Sequence, residues 1–409
     1  MESIERRWEE AKAKLFEEAD LHFDVVVLLV AGLALVITGL LLFPVSVGFL
    51  PYYENGVYGL LLFLFGLQTV VLGRTPAGDL KKSVPVIGGG VGIATVGILA
   101  CFIPDVFTLL PRVLLIICLG LGGFLQLLQM LFSKDKLQAW IGYGGIFPAL
   151  AVACGAVYVL SMFAGLLVWE KGLLSVRTTA LSVLVYGAAI LVLAVLLQKI
   201  YRMHPQAAAH LDDTFGLTAD KAMLLLTGLF MMILGVLLIP VTFGMLPFSG
   251  SAQLGLLMVL FSIQMLAFGS TPVGPFPRTW LVVLLGLLFA ALGIISCIVP
   301  LTLVPFLTLL IGLLNLTGGG AGLFKTVMPL LDSPKRKSPV VPILVKLTVT
   351  QIAMNLVSIL FGTSMLFSGL LPGWVVGVIL TANGAVLLYL MRLLMQIDKM
   401  RSAMMEETA

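Results

Sequence analysis

The chain contains twelve apolar stretches that are each close to 20 residues long, and most of its charged residues lie between them. An α-helix of about 20 residues crosses a bilayer core of roughly 30 Å. Helices are the expected spanning element because unpaired backbone amides are costly in hydrocarbon, and the alternation typical of a membrane β-barrel is absent. The sequence therefore predicts an all-α polytopic membrane protein whose twelve helices span 25–47, 57–73, 84–104, 107–132, 140–165, 178–200, 222–244, 254–271, 279–300, 305–326, 341–366 and 374–395.

The composition agrees with a location in a membrane. Hydrophobic residues make up 60% of the 409 residues and charged residues 11%, and the mean hydropathy is +1.13. So little charge does not cover the surface of a water-soluble protein of this size. The net charge is only +4, and we expect the lipid bilayer to be the main partner, with no nucleic acid; a membrane-protein partner or a homo-oligomer is compatible with such a chain.

Three segments lie outside the predicted spans. Residues 204–221 form a linker between the two halves of the chain, and residues 401–409 form a tail. Residues 1–24 predict an amphipathic helix on the membrane surface, although docking to a partner protein is an alternative. The apolar face of this helix consists of Ile4, Trp8, Ala11, Leu15 and Ala19.

The distribution of lysine and arginine predicts the orientation. If the N-terminus is cytoplasmic, 21 of the 24 basic residues lie on the cytoplasmic side, and only Arg112, Lys171 and Arg177 lie outside. Basic residues concentrate in the cytoplasmic loops of membrane proteins. The sequence therefore predicts a bacterial-type cytoplasmic membrane protein with both termini in the cytoplasm.

The two halves of the chain repeat each other. At an offset of 196 residues, without a gap, Pro44 matches Pro240 and Gln68 matches Gln264. After a one-residue insertion the offset becomes 197. Because each half holds an even number of spans, both halves enter and leave the membrane on the same side. We expect two parallel six-helix repeats, over 25–203 and 222–400, related by an axis along the membrane normal.

A shorter pattern lies inside each half. Glycines seven residues apart precede a proline in "GLALVITGLLLFP" and "GVGIATVGILACFIP", and the second half has matching segments. Glycines at this spacing leave one helix face without side chains, which lets neighbouring helices pack closely. The pattern predicts a helical hairpin used three times in each half.

Three hairpins with such first helices resemble the HdeD family of small bacterial inner-membrane proteins, which are linked to acid resistance. A single HdeD protein is about half as long as this chain, so the resemblance covers two tandem copies over residues 25–400. It implies a non-enzymatic integral membrane protein in envelope stress or acid tolerance, or a membrane component of a larger assembly. It implies no catalytic residues.

The residues that carry redox or metal chemistry are poorly placed for it. The three histidines, His22, His204 and His210, lie at the predicted cytoplasmic boundary or in the linker, whereas a membrane cytochrome needs axial histidines within spans. The four cysteines lie inside spans without the spacing of a metal site. We therefore predict no enzyme activity, no cofactor and no metal.

Six neutral amide side chains remain as candidate polar positions within the spans. One interpretation is that they line a polar cavity, which makes a transporter or channel for a small neutral or weakly charged solute the alternative function. The preferred interpretation is hydrogen bonding between helices, at about 0.6 kcal/mol each. Leu119, Tyr158 and Tyr186 occupy the repeat-equivalent positions of three of them. The six residues are Gln68, Gln264, Asn315, Gln351, Asn355 and Asn383.

Overall fold

The computed structural model contains, in the part of the chain that it describes, twelve helices that are long and apolar enough to cross a membrane. It describes residues 14–75, 78–79, 82–104, 108–133, 137–170, 172–204, 217–331, 342–367 and 369–408. The predicted all-α polytopic fold is confirmed. The helices are α1 (Phe23–Ser46), α2 (Glu54–Leu72), α3 (Val84–Phe102), α4 (Leu109–Phe132), α5 (Phe147–Trp169), α6 (Val176–Met203), α7 (Ala219–Thr242), α8 (Gly250–Phe268), α9 (Trp280–Ile298), α10 (Val304–Leu331), α11 (Pro342–Leu366) and α12 (Gly373–Thr408).

The start of one helix differs clearly from the predicted span: α5 begins at Phe147 rather than at residue 140. A separate short helix, Ala139–Tyr143, precedes it. Gly144 and Gly145 follow that helix with φ angles of 67° and 62°. This left-handed backbone breaks a right-handed helix, and glycine adopts it without steric cost. Apolar composition continues through the break, so hydropathy alone does not reveal it.

Several predicted segments fall largely outside the described residues. These are the residues 1–13 of the amphipathic helix and the residues 205–216 of the linker. The C-terminal helix α12, in contrast, continues to Thr408, well past the predicted span end at 395. Most of the predicted tail is therefore an extension of α12.

The helices pack in pairs that differ from the predicted order of hairpins. The close pairs are α2 with α3, α4 with α5, and α1 with α6; in the second half they are α8 with α9, α10 with α11, and α7 with α12. The glycine faces join helices of different predicted hairpins. A Cβ atom on Gly59 of α2 would lie 2.4 Å from the carbonyl oxygen of Gly97 in α3. At Gly255 and Gly293, their equivalents in the second half, the same separation is 2.5 Å.

The twelve helices group into two compact units that do not coincide with the two sequence halves. One unit contains α1 to α6 together with α8 and α9, and the other contains α7 and α10 to α12. Two hydrogen bonds within the first unit are equivalent at the offset of 196. The Tyr53 N–H donates to the Ile298 carbonyl at 2.9 Å, and the Ser249 N–H donates to the Phe102 carbonyl at 2.9 Å.

Each half carries a short antiparallel strand pair after its second helix. In the first half β1 (Arg74–Thr75) pairs with β2 (Gly78–Asp79). The second half has β3 (Ser270–Thr271) and β4 (Gly274–Pro275). The Thr75 hydroxyl donates to the Gly78 carbonyl at 2.8 Å, and the same bond at 2.8 Å joins Thr271 and Gly274. These turns lie on the side of the membrane that is predicted to be cytoplasmic.

Candidate binding cavity

The first six helices enclose a cavity of about 280 Å³ between α1, α2, α4, α5 and α6. It extends from mid-helix residues such as Leu61 and Tyr186 to the β1–β2 turn. Gln129 lines that end and is exposed, so the cavity reaches the protein surface there. The polar and aromatic side chains in its lining, apart from the cysteines, are Phe65, Gln68, Gln126, Gln129, Trp140, Tyr158, Ser161 and Tyr186.

The β1–β2 turn shapes the open end. Gly78 has a φ of 119°, and a Cβ atom there would lie only 2.2 Å from the Nε2 atom of Gln129. The Gln126 side chain donates from Nε2 to the carbonyl of Thr75 at 3.4 Å. The turn therefore holds Gln126 of α4 by a hydrogen bond. Because residue 78 is glycine, the turn also leaves space for the side chain of Gln129.

An irregular turn in α4 faces the cavity. Residues Ile117–Leu121 form a π-helical segment within the otherwise α-helical span. The Ser161 hydroxyl of α5 donates to the Leu119 carbonyl within this segment at 2.9 Å. Single π-helical turns occur frequently at functional sites because the extra residue redirects side chains. Cys118 and Leu119 of this turn line the cavity.

The described lining of the cavity contains amides, phenols, a hydroxyl, thiols and an indole, and no Asp, Glu, Lys, Arg or His. Such groups offer hydrogen-bond donors and acceptors without a formal charge. An ion that entered would lose its hydration without gaining an opposite charge among these residues, which is costly in a low dielectric. The cavity is therefore suited to an uncharged solute.

Gln68 lies in α2 and points into this cavity. It is half-buried, and no described residue forms a hydrogen bond with its carboxamide. Hydrogen bonding between helices thus does not account for Gln68, whereas the cavity interpretation does. Its repeat equivalent, Gln264 in α8, has an interaction of its own within the described chain. The two glutamines are equivalent in sequence but differ in environment.

All six predicted polar positions correspond, through the repeat offset, to residues that line this one cavity. Gln264 corresponds to Gln68 itself. The other four are in α10, α11 and α12, so the cavity contains their equivalents and not the residues themselves. The pairs are Asn315 with Leu119, Gln351 with Cys154, Asn355 with Tyr158, and Asn383 with Tyr186.

Contacts within each half support this correspondence. Ser161 donates to the carbonyl of Leu119, and its equivalent Ser358 donates to the carbonyl of Asn315 at 3.1 Å. A Cβ atom on Gly123 would lie 2.8 Å from the carbonyl oxygen of Tyr158. At the equivalent positions, a Cβ atom on Gly319 would lie 2.8 Å from the carbonyl oxygen of Asn355. The helix pairs α4–α5 and α10–α11 therefore pack in the same register.

Asn315 does form the hydrogen bond between helices that the preferred interpretation predicts. Its Nδ2 donates to the Ile311 carbonyl of its own helix at 2.9 Å, and its Oδ1 accepts from the Ser358 hydroxyl of α11 at 3.1 Å. Asn355 packs against α10, where a Cβ atom on Gly322 would lie 2.4 Å from its Oδ1. Gln351 is exposed and Asn383 is half-buried.

The sequence did not predict Gln126, Gln129, Tyr158, Ser161 or Tyr186 as site residues, although Tyr158 and Tyr186 are the repeat equivalents of two predicted polar positions. Gln126 and Gln129 are three residues apart, so they share a helix face, and this spacing was a usable signal. In the sequence, Tyr158 and Tyr186 cannot be distinguished from ordinary aromatic residues of an apolar span. Nothing in the residues 117–121 distinguishes a π-helical turn from an α-helical one.

The described residues contain no group of three or more His, Cys, Asp or Glu side chains that could hold a metal ion. All four cysteines are buried, and none of them forms a disulfide. The predictions of no metal and no cofactor remain predictions.

A second pocket of about 350 Å³ lies at the opposite ends of α2 and α4. Arg112 and Glu54 line it together with three tyrosines. The Arg112 guanidinium donates to the carbonyls of Val168 at 2.9 Å and Trp169 at 2.6 Å, which ties α4 to the last turn of α5. This charged pocket is separate from the uncharged cavity.

Comparison with profiles of known protein families, with curated proteins and with solved structures gives no match to this chain.

Proposed function

We propose that this protein is a membrane transporter for a small uncharged solute that has both polar and apolar parts, and that the cavity among α1, α2, α4, α5 and α6 is its binding site. The observation that carries this proposal is the uncharged cavity, which reaches from mid-membrane to the protein surface at one end. Gln68 supplies a hydrogen-bonding group inside it that no described residue uses. The size is suited to a small solute, because the cavity lies near the lower limit of ordinary ligand pockets, roughly 300 Å³.

The arrangement along α2 and α4 supports a transport path. From one end of these helices to the other, the outer pocket with Arg112 comes first, then Leu62 and Leu115, then the cavity with Gln68. Leu62 and Leu115 are both 0% exposed and pack in one apolar cluster with Tyr58. A path that is open at one end and closed by apolar side chains at the other is the arrangement that alternating access requires.

The proposals for the membrane orientation and for the physiological role are based on the sequence. If both termini are cytoplasmic, as the basic residues predict, the open end at Gln129 faces the cytoplasm and the Arg112 pocket faces outward. The HdeD-like resemblance, with a role in envelope stress or acid tolerance and no enzyme activity, rests on the glycine and proline pattern. No feature of the cavity bears on it.

The proposal is tested by solute flux into liposomes that contain the purified protein. Stopped-flow light scattering would follow the uptake of 1,2-propanediol, 1,2-butanediol and N-propylurea, which are uncharged and have both polar and apolar parts. Cys154→Phe introduces a ring into the cavity, while Gln351→Phe places the same ring at the repeat-equivalent position, which is exposed. We expect uptake of at least one solute above that of protein-free liposomes, its loss in Cys154→Phe and its retention in Gln351→Phe.

Thermal unfolding of both variants in detergent controls for misfolding. A Cys154→Phe protein that unfolds at the temperature of the parent but has lost flux supports a binding site at the cavity. Equal flux in the two variants, or no flux of any of the three solutes, would overturn the proposal.

A further inference from the structure

We infer, on the basis of the transport function proposed above, that the solute is an uncharged single-chain amphiphile, and that it reaches the cavity from within the bilayer through a groove between α3 and α4. The groove holds the apolar chain of the molecule, and the cavity binds its polar head.

The groove has a volume of about 570 Å³ and lies alongside the halves of α3 and α4 nearest the β1–β2 turn. Its lining is almost entirely apolar. Gly89, Ile117 and Leu121 in this lining are exposed, so the groove opens sideways, toward the hydrocarbon. An apolar channel of this kind favours an alkyl chain and excludes a water-borne polar solute.

The groove and the cavity lie on the two sides of the same π-helical turn. Cys118 lines both of them. On α2, Gln68 lines the cavity and the next residue, Thr69, lines the groove. The wall between the two spaces is therefore one helix thick, and at that point α4 has lost its regular hydrogen bonding. A π-helical turn differs from an α-helical one by a single inserted residue, and such turns occur frequently at functional sites.

The two spaces together match the two parts of an amphiphile. The cavity offers the Gln68 carboxamide to a hydroxyl or amide head group, and its described lining has no charge. The groove offers only apolar contact. A fully polar solute would leave the groove unused, and a charged lipid would lack a counter-charge in the cavity.

Three exposed glycines of α3 are replaced by leucines at the equivalent positions of the second half. A Cβ atom on Gly88, Gly89 or Gly92 of α3 would meet no atom within 4 Å. Glycine is therefore not required at these positions for close packing within the described chain. At the equivalent positions of α9 the chain carries exposed leucines, and the equivalent part of α10 is regular α-helix. These leucines are Leu284, Leu285 and Leu288.

Photolabelling in liposomes tests the route. Diazirine-bearing hexadecanol partitions into the bilayer, while diazirine-bearing butanol also reaches the cavity from water at Gln129. Labelled peptides are identified by mass spectrometry. We expect hexadecanol to label α3, the 117–125 region of α4, and the cavity residues Tyr158 or Tyr186, and butanol to label the cavity.

Two pairs of tryptophan substitutions separate the routes. Gly89→Trp and Ile117→Trp obstruct the groove, and Leu285→Trp and Leu313→Trp place the same ring at the exposed equivalent positions. We expect the groove variants to lose cavity labelling by hexadecanol but to keep that by butanol, and the control variants to keep both.

The outcomes distinguish the inference from the function on which it rests. Cavity labelling by hexadecanol that persists in both groove variants overturns the lateral route, as does labelling confined to the groove, and butanol labelling then still supports the cavity as a site. Failure of both alcohols to label the cavity overturns the proposed function as well.

Discussion

Cys101 and Cys297 meet at Gly56 of α2, where a Cβ atom would lie 2.0 Å from the Cys297 carbonyl oxygen. The two residues are equivalent at the offset of 196, and each thiol also lies against a carbonyl of the preceding helix, that of Gly56 at 3.5 Å and that of Ala252 at 3.7 Å. Residues that are equivalent in two repeats meet each other only near a two-fold axis. This contact therefore favours a two-fold relation between the helix pairs α2–α3 and α8–α9; the direction of its axis along the membrane normal remains a prediction.

We expect oxidation with membrane-permeant copper phenanthroline to join Cys101 to Cys297 within one chain. Mass spectrometry of the digested protein would detect the linked peptides. The variant in which Cys118 and Cys154 are both serine should keep the link, and Cys297→Ser should lose it. A link from Cys101 to either of the other cysteines would contradict the packing described here.

Replacing the two equivalent glutamines should give opposite results. Gln68→Leu should leave the unfolding temperature nearly unchanged and reduce solute flux, because its carboxamide is not used by any described residue. Gln264→Leu should lower the stability modestly, by about 0.6 kcal/mol if a hydrogen bond between helices is lost, and leave flux unchanged. Thermal unfolding and liposome uptake measure the two effects, and equal behaviour of the two variants would show that the environments do not differ.

The glycine contacts predict a position-dependent cost of alanine. Gly59→Ala should destabilise the protein by about 1–3 kcal/mol, typical of overpacking, because its Cβ atom would lie 2.4 Å from the Gly97 carbonyl oxygen. Gly88→Ala should be neutral or slightly stabilising, because nothing lies within 4 Å of its Cβ position and alanine favours helix. Unfolding midpoints in a mild detergent would compare the two, and a larger loss at Gly88 would be inconsistent with the helix pairing.

The predicted orientation can be tested with two phenylalanines of equal exposure. Phe49, after α1, is 81% exposed, and Phe132, at the end of α4, is 80% exposed. A membrane-impermeant maleimide should label Phe49→Cys in intact cells and Phe132→Cys only after permeabilisation. The four native cysteines are buried, so they provide an unlabelled background. The opposite labelling pattern would place the termini outside.

The fold class followed from the sequence because the length and apolarity of a membrane span are one-dimensional properties of the chain. The pairing of helices did not, since a glycine face at Gly59 fits any other glycine face, and only the three-dimensional arrangement selects Gly97. Only some of the cavity residues could be predicted from the sequence. Gln68 was recognisable as a polar residue in an apolar span, but Tyr158 and Tyr186 become cavity residues only through the way α4, α5 and α6 pack around them.

The pairing of α1 with α6 has a consequence for how the protein is made. The glycine face of α1 packs on α6 where a Cβ atom on Gly32 would lie 3.1 Å from the carbonyl oxygen of Gly187. Gly187 is synthesised 155 residues after Gly32. At a synthesis rate of roughly 5–20 residues per second, α1 waits about 8–30 s in the membrane before its partner emerges from the ribosome. Throughout that interval its bare backbone face is available to other helices, so faithful assembly depends on the insertion machinery or on α2 shielding it until the first half of the chain closes.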